Sequence, residues 1–373
     1  MSLKTRLANL RTGMRPRIAE WRFMLKRIRQ STLAITGVII ILFFVAIAIL
    51  APVLAPPPQG TRDAFLIPRD GEFASILSDR PTPPTVRHIF GTIQGQYDLY
   101  YACIWGTITA FRIGLLVVAV SLAIGLLIGT LAAYYGGILD EVLMRFTDII
   151  IAFPGLILAM ALVLAFPTVL PISLSTVLLA LSITFMMILL AFKPDRRWLS
   201  VFMLILVFSV LSLLYFPLVA DLYLGNLDKV LISITIVGWP GYARVIRGEV
   251  LRVKSEDFVE ASKASGSSDF RTIMKHILPN SIYPLLIVAT LDIGSIVLTA
   301  AALSFIGIGA PADYADWGQV ISRARFWITD PRMMADFFYT FFIPGLFISF
   351  FVVGWNLLGD ALRDVLDPML RRR

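Results

Sequence analysis

The sequence predicts an all-α polytopic membrane protein, and three observations carry that prediction. Of 373 residues, 58% are hydrophobic and only 16% are charged, with a mean hydropathy of +0.81. A soluble chain of this length needs more polar surface than that. Several apolar runs reach the roughly 20 residues of helix that cross a hydrocarbon core. Alternating strands of about ten residues, the signature of a membrane β-barrel, do not occur.

Eight membrane helices are expected, over 33–54, 107–134, 148–166, 174–192, 198–220, 229–245, 280–308 and 341–358. Pro52 and the run Pro56, Pro57, Pro58 end the first, and Gly136-Gly137 ends the second. Between them, 55–106 is proline-rich, which predicts irregular structure with short helices. Pro154, Pro240 and Pro344 fall inside predicted helices, where each frees a carbonyl and permits a bend. Gly125 and Gly129 are four residues apart in the second helix, a spacing that suits close helix packing.

Basic residues set the orientation. With the N-terminus inside, the inner segments hold 24 Lys and Arg and the outer segments hold seven, which satisfies the positive-inside rule. An even number of helices keeps Arg371, Arg372 and Arg373 inside as well. The net charge of +8 therefore reflects topology and excludes nothing but a neutral surface; nucleic acid is not an expected partner. The first thirty residues carry nine basic groups against one acid, which suits anionic headgroups, as an interfacial helix over 21–29 or as a plain topology signal. The first apolar run is followed by prolines, not by small cleavage residues, so it is expected to remain as an anchor.

Several chemistries have no residues to perform them. Cys103 is the single cysteine, and His88 and His276 stand apart from any ligand spacing, so no disulfide or metal site is expected. The sequence has no Gly-x-x-x-x-Gly-Lys-Ser/Thr loop to cradle phosphates. No nucleophile, base and orienting group can be assigned.

The polar stretch 260–280 lies between two apolar runs. Glu260 to Ser265 favour helix, and Phe270, Ile273, Met274 and Ile277 recur at helical spacing. Gly266 between them can take positive φ, ending one helix and allowing another to start at an angle. Ser267, Ser268 or Asp269 can cap the second helix, and Pro279 can open the next membrane helix. Such a crossbar could receive force from a docked partner, although an ordinary connection between spans uses similar residues.

Here the sequence resembles the permeases of ATP-binding-cassette (ABC) importers. Their pattern is Glu-Ala-Ala, three residues, Gly, nine residues, Ile, any residue, Leu-Pro. Glu260, Ala261, Ser262, Gly266, Leu278 and Pro279 fall in register, with Ser262 replacing an alanine and His276 in the isoleucine slot. The dipeptide and oligopeptide branch, C-type subunit, is the nearest resemblance. Tyr134-Tyr135-Gly136-Gly137, Phe153-Pro154, Trp239-Pro240-Gly241-Tyr242, Leu303-Ser304-Phe305-Ile306-Gly307 and Asn356-Leu357-Leu358-Gly359-Asp360 match in order. Phe90-Gly91-Thr92 matches an outside motif, but Gly95-Gln96-Tyr97-Asp98 departs from the usual Gly-Arg-Asp, and Ala300 stands where many relatives have Glu.

The resemblance implies a type I permease fold of six core helices, with a two-helix insertion over 167–221 joined by Lys193-Pro194-Asp195-Arg196-Arg197. The domain plan becomes a basic inner segment 1–30, a first helix 31–54, an outer loop 55–106, a permease domain 107–359 with an inner coupling loop 247–279, and a tail 360–373. The resemblance further implies a heterodimer with a homologous permease, two ATP-binding subunits that bind ATP and Mg, and an outside solute-binding protein. The chain itself would bind no cofactor and catalyse nothing. Coupling would fall to Glu260, Ala261, Ser262, Gly266, Asp269, Phe270, Leu278 and Pro279. The insertion could contact lipid or another subunit, or be a neutral peripheral hairpin.

Asp292 lies about thirteen residues past Pro279, near 20 Å of helix. An ionisable group at that depth costs about 2.5–3.5 kcal/mol to insert, so it should face protein or water. Asp292, Ser295 and Thr299 are candidate path residues; the alternative is a structural hydrogen bond from Asp292 to a neighbouring helix, with Ser295 or Thr299 nearby. A secondary transporter driven by an ion gradient would need paired buried charges and an internal repeat, and only Asp292 is deep.

Overall fold

Helices dominate the computed structural model, which describes residues 31–61, 63–69, 80–173 and 219–366. Helix α1 (Thr32–Leu54) starts where the Ser31 hydroxyl accepts the Ala34 N–H. A short hairpin follows, β1 (Thr92–Ile93) against β2 (Tyr97–Asp98). Asp98 then caps α2 (Leu99–Tyr135), accepting the Tyr101 N–H at 2.7 Å. Helices α3 (Gly137–Ile151) and α4 (Gly155–Ala165) come next. Strands β3 (Val169–Ser173) and β4 (Val219–Tyr223) pair antiparallel, Val169 with Tyr223 through Ser173 with Val219. Beyond them lie α5 (Asn226–Lys254), α6 (Asp257–Ala264), α7 (Asp269–Thr272), a π-helical turn Ile273–Ile277 and α8 (Leu278–Ile306). Helices α9 (Trp317–Thr329), α10 (Pro331–Phe337) and α11 (Tyr339–Leu366) complete the chain.

Among the described residues, five helices are long and apolar enough to cross a membrane, or six if α3 and α4 make one broken crossing. The third expected helix, 148–166, is therefore two pieces bent by 89°. Proline is the cause. Pro154 offers no N–H and pushes Phe153 out of helical geometry, so α4 restarts behind it with Pro154 at its N-cap position. The fourth and fifth expected helices lie outside the described residues, apart from Val219 and Ala220, which belong to strand β4. Residues 1–30 and the end of the tail also lie outside them.

Other boundaries differ from expectation by extension. Helix α2 begins eight residues before position 107, inside the predicted outer loop. Helix α5 continues to Lys254, because nothing between 246 and 254 interrupts it. Helices α9 and α10 were not foreseen; Asp316 caps the first by accepting the Gln319 N–H at 2.8 Å. Burial of Asp316 raises its carboxyl above the usual range through lost solvation.

The bundle centres on α2 packed along α5. A Cβ on Gly125 would meet the Tyr242 side chain, and one on Gly129 would run into the Ala243 carbonyl and Ile246. The predicted small-residue pair is thus the seam between these two helices. Gly37 against Leu357, and Gly354 against Ile40, seat α1 on α11 in the same way. Between α1, α9 and α11, Phe351 packs edge to face on Phe44 and Trp317, and Phe44 packs tilted on Trp317, with centroids 5.3–6.0 Å apart. The Trp317 Nε1–H donates to the Cys103 carbonyl at 3.1 Å, and Cys103 is a buried free thiol, as a filler should be.

Gly129→Leu should lower the unfolding midpoint of the purified protein in detergent, with a cost of about 1–3 kcal/mol. Gly248 lies on the same helix as Ala243 but in open space, so Gly248→Ala should leave the midpoint unchanged or raise it. Equal effects of the two substitutions would remove the seam as a constraint.

Candidate coupling loop and transmembrane cavity

Helix α6 ends in a Schellman arrangement built on Gly266. Gly266 has φ +74°. Its N–H donates to the Lys263 carbonyl at 2.9 Å, and the Ser267 N–H donates to the Ser262 carbonyl at 3.2 Å. No atom lies within 4 Å of a Cβ placed there. Glycine is therefore required by the backbone, not by crowding, and the space beside it is open.

The expected side-chain cap is not made. Ser268 occupies the N-cap of α7 without a side-chain bond. The Asp269 carboxylate instead accepts the Tyr134 hydroxyl at 2.6 Å. Pro279 lies in the first turn of α8, as expected, but no break precedes it. The chain runs from α7 through the π turn directly into α8, one continuous span from Asp269 to Ile306. Pro279 cannot donate to the Lys275 carbonyl, and its ring would press on that carbonyl in a regular α-helix. The π turn relieves this by pairing the Leu278 N–H with the Ile273 carbonyl. The Asn280 amide donates to the His276 carbonyl at 2.6 Å, and the Ser281 hydroxyl donates to that of Ile277 at 3.0 Å.

Tyr134 joins the loop to the bundle. Lys254 Nζ donates to the Ala133 and Tyr134 carbonyls at 3.2 and 2.6 Å, a cation on the electronegative end of α2. The Lys254 and Lys263 ammonium groups lie 5.7 and 5.0 Å from the Tyr134 ring centroid. Arg247 makes a bidentate pair with Asp140, both bonds 2.6 Å, and Arg244 meets Asp148 at 2.6 Å. Arg145 pairs with Glu141 at 3.6 Å. The Arg145–Glu141 pair lies within α3; the other contacts fix α3 and the loop to α5.

Below the loop, Val259, Ile273 and Ile277 are buried. Above it, Glu260 and Ala261 are exposed, as are Gly266, Asp269 and Pro279. Phe258, Phe270 and Met274 are exposed apolar groups, with Phe270 at 74%. Ser262 and Leu278 are half-buried. The predicted helical stripe thus divides: its isoleucines enter the core while Phe270 and Met274 point outward.

The three predicted path residues come together. Asp292, Ser295 and Thr299 line a cavity of about 260 Å³ between the start of α4, the middle of α5 and the middle of α8. Tyr242 of α5 faces them, with its buried hydroxyl beside the Asp292 carboxyl. Within α8, Ser295 donates to the Asp292 carbonyl at 3.0 Å and Thr299 to the Ser295 carbonyl at 2.8 Å; the neighbouring-helix group beside the Asp292 carboxyl is Tyr242. Sequence reasoning assigned no role to Tyr134 or Tyr242. Their only signal was membership of the Tyr-Tyr-Gly-Gly and Trp-Pro-Gly-Tyr matches.

Broken and continuous apolar helices around a cavity that holds one carboxylate, with an exposed bent crossbar at one end, fit a membrane transport component. Residues 125–372 match the family described as the binding-protein-dependent transport system inner membrane component. Residues 20–68 match the N-terminal membrane domain of oligopeptide transport permease C. The chain belongs to the first of these families and is a multi-pass inner-membrane transport permease. It is 33% identical to the probable D,D-dipeptide transport system permease DdpC of Escherichia coli K12, over 91% of this chain and 89% of that one. It is 30% identical to the dipeptide transport system permease DppC of Alkalihalophilus pseudofirmus, over 95% and 91%. With the oligopeptide transport system permease OppC of Bacillus subtilis it shares 28%, over 94% and 90%.

Tyr134→Phe should loosen the loop by about 1 kcal/mol, a roughly five-fold faster amide exchange over 257–272. Hydrogen–deuterium exchange on protein in nanodiscs reads this directly. Unchanged exchange would show that the hydroxyl bond carries none of the loop's order.

Proposed function

We propose that this chain is one permease subunit of an ABC importer for dipeptides, oligopeptides or related small solutes. It pairs with a homologous permease, two ATP-binding subunits and an extracytoplasmic solute-binding protein. ATP and Mg are bound and hydrolysed in the partner subunits. The chain crosses the bilayer eight times, the insertion contributing two crossings, and both termini face the cytoplasm. The charge asymmetry of the loops supports that orientation. The named relatives support peptides as cargo.

The exposed crossbar is the observation that carries this reading. Glu260, Ala261, Ser262 and Gly266 form the end of α6 and its turn, with Asp269 and Phe270 opening the next helix. Leu278 and Pro279 sit where the π turn becomes α8. A push on the exposed side has a route to Asp292 along the continuous span from 269 to 306, which includes the π turn, Pro279 and Pro284. Closure of the ATP-binding subunits therefore moves α8 and α5 together, through the Tyr134 and Lys254 contacts. The cavity beside Asp292, Ser295 and Thr299 lies on the translocation path.

Gly266→Val would force a β-branched residue into positive φ, at a local cost of about 1–2 kcal/mol. The expected result is intact membrane insertion and subunit assembly with ATP-driven uptake reduced to background. The measurement is peptide uptake into proteoliposomes containing the complete importer. Wild-type uptake by this variant would refute docking at the crossbar.

A further inference from the structure

We infer that the Asp292 cavity is a binding site for a primary ammonium group, taken from the N-terminus of the transported solute. The site rests on the importer reading for the identity of its cargo, but not for its binding chemistry.

The polar groups of the cavity accept hydrogen bonds more readily than they donate. Asp292 supplies a carboxylate and has no cationic partner among the described residues; no Lys, Arg or His lines the space. The Ser295 and Thr299 hydroxyl protons are committed to main-chain carbonyls of their own helix. Their oxygen lone pairs are what remains for a ligand. Tyr242 is only 1% exposed, and its hydroxyl lies beside the Asp292 carboxyl, toward which it can donate. Its oxygen lone pairs then remain for a ligand, like those of Ser295 and Thr299. An ammonium group presents three N–H donors and one positive charge. It satisfies the carboxylate and the free oxygens at once, and it removes the cost of an isolated charge at membrane depth.

The rest of the lining describes what is attached to that ammonium. Ile234, Val237 and Ile296 form apolar walls, which suit an aliphatic side chain. At the edge, Gly155 and Leu156 are the first residues of α4, which has no side-chain cap. Their N–H groups suit a carbonyl oxygen next to the ammonium. At about 260 Å³, the cavity is smaller than the 300–1,000 Å³ of a typical ligand pocket. That space suits the first residue of a peptide, ammonium end inward. A divalent metal is not supported, because no group of three metal-ligating side chains occurs among the described residues.

The test uses the purified complex of this chain with its partner subunits, with radiolabelled n-butylammonium as the probe. The wild type should bind it saturably, with no competition from n-butanol, which has the same chain and no charge. Asp292→Asn should weaken binding on the order of ten-fold or more, Tyr242→Phe should weaken it less, and Asp292→Glu should restore much of it. Peptide uptake into proteoliposomes should fall in parallel in Asp292→Asn, while ATPase stimulation by the loaded binding protein is retained. Absent binding, or equal binding by Asp292→Asn, would overturn the site. So would loss of the homologous permease from the Asp292→Asn complex, since the carboxylate would then be an intersubunit contact. Binding with no ATP-driven uptake by the wild type would leave the ammonium site standing and remove the importer reading instead.

Discussion

The close approach of α2 and α5 is the constraint on which the rest of the molecule depends. Side-chain-free faces at Gly125 and Gly129 let the α5 backbone touch α2 at Tyr242 and Ala243. Two consequences follow from this one contact. Tyr242 is pinned at its Cβ, so its ring can extend only toward α8 and the cavity. Three turns further along α5, Lys254 arrives at the end of α2, within reach of the Ala133 and Tyr134 carbonyls. The polar cavity and the crossbar are thus positioned by the same seam, at two depths.

The crossbar itself is held by unlike forces on its two sides. Underneath, Val259, Ile273 and Ile277 bury apolar surface. At its flank, hydrogen bonds, a helix-end cation and two cation–π contacts converge on Tyr134. The half-exposed ion pairs contribute less, because solvent screens them; their value lies in fixing the angle of α3. Nothing comparable covers Phe270 or Met274. A loop so well tied on one side and bare on the other is rigid enough to transmit displacement and open enough to receive it.

Much of this was legible in the sequence. The apolar runs located five of the crossings because hydrophobic length is a nearly local property. Gly266 declared its own turn, since few residues tolerate positive φ. Asp292 stood out because charge at that depth is rare. What escaped were features set by partners distant in the chain. Tyr134 and Asp269 are 135 residues apart, and neither carries a local sign of the other. The π turn was hidden because Pro279 reads as a helix start when the preceding turn is unknown. The 89° break at Pro154 was visible as a bend but not in its size. Helices α9 and α10 mix polar and apolar residues too evenly to be noticed beside membrane helices.

The ladder between β3 and β4 has a bearing on how α4 leads into α5. Five residue pairs hold positions 169 and 223 side by side. The chain thus enters and leaves this point of the bundle at adjacent positions. Closing a long loop adds little entropic cost once its base is zipped. The base formed by residues 169–173 and 219–223 therefore fixes how the end of α4 meets the start of α5.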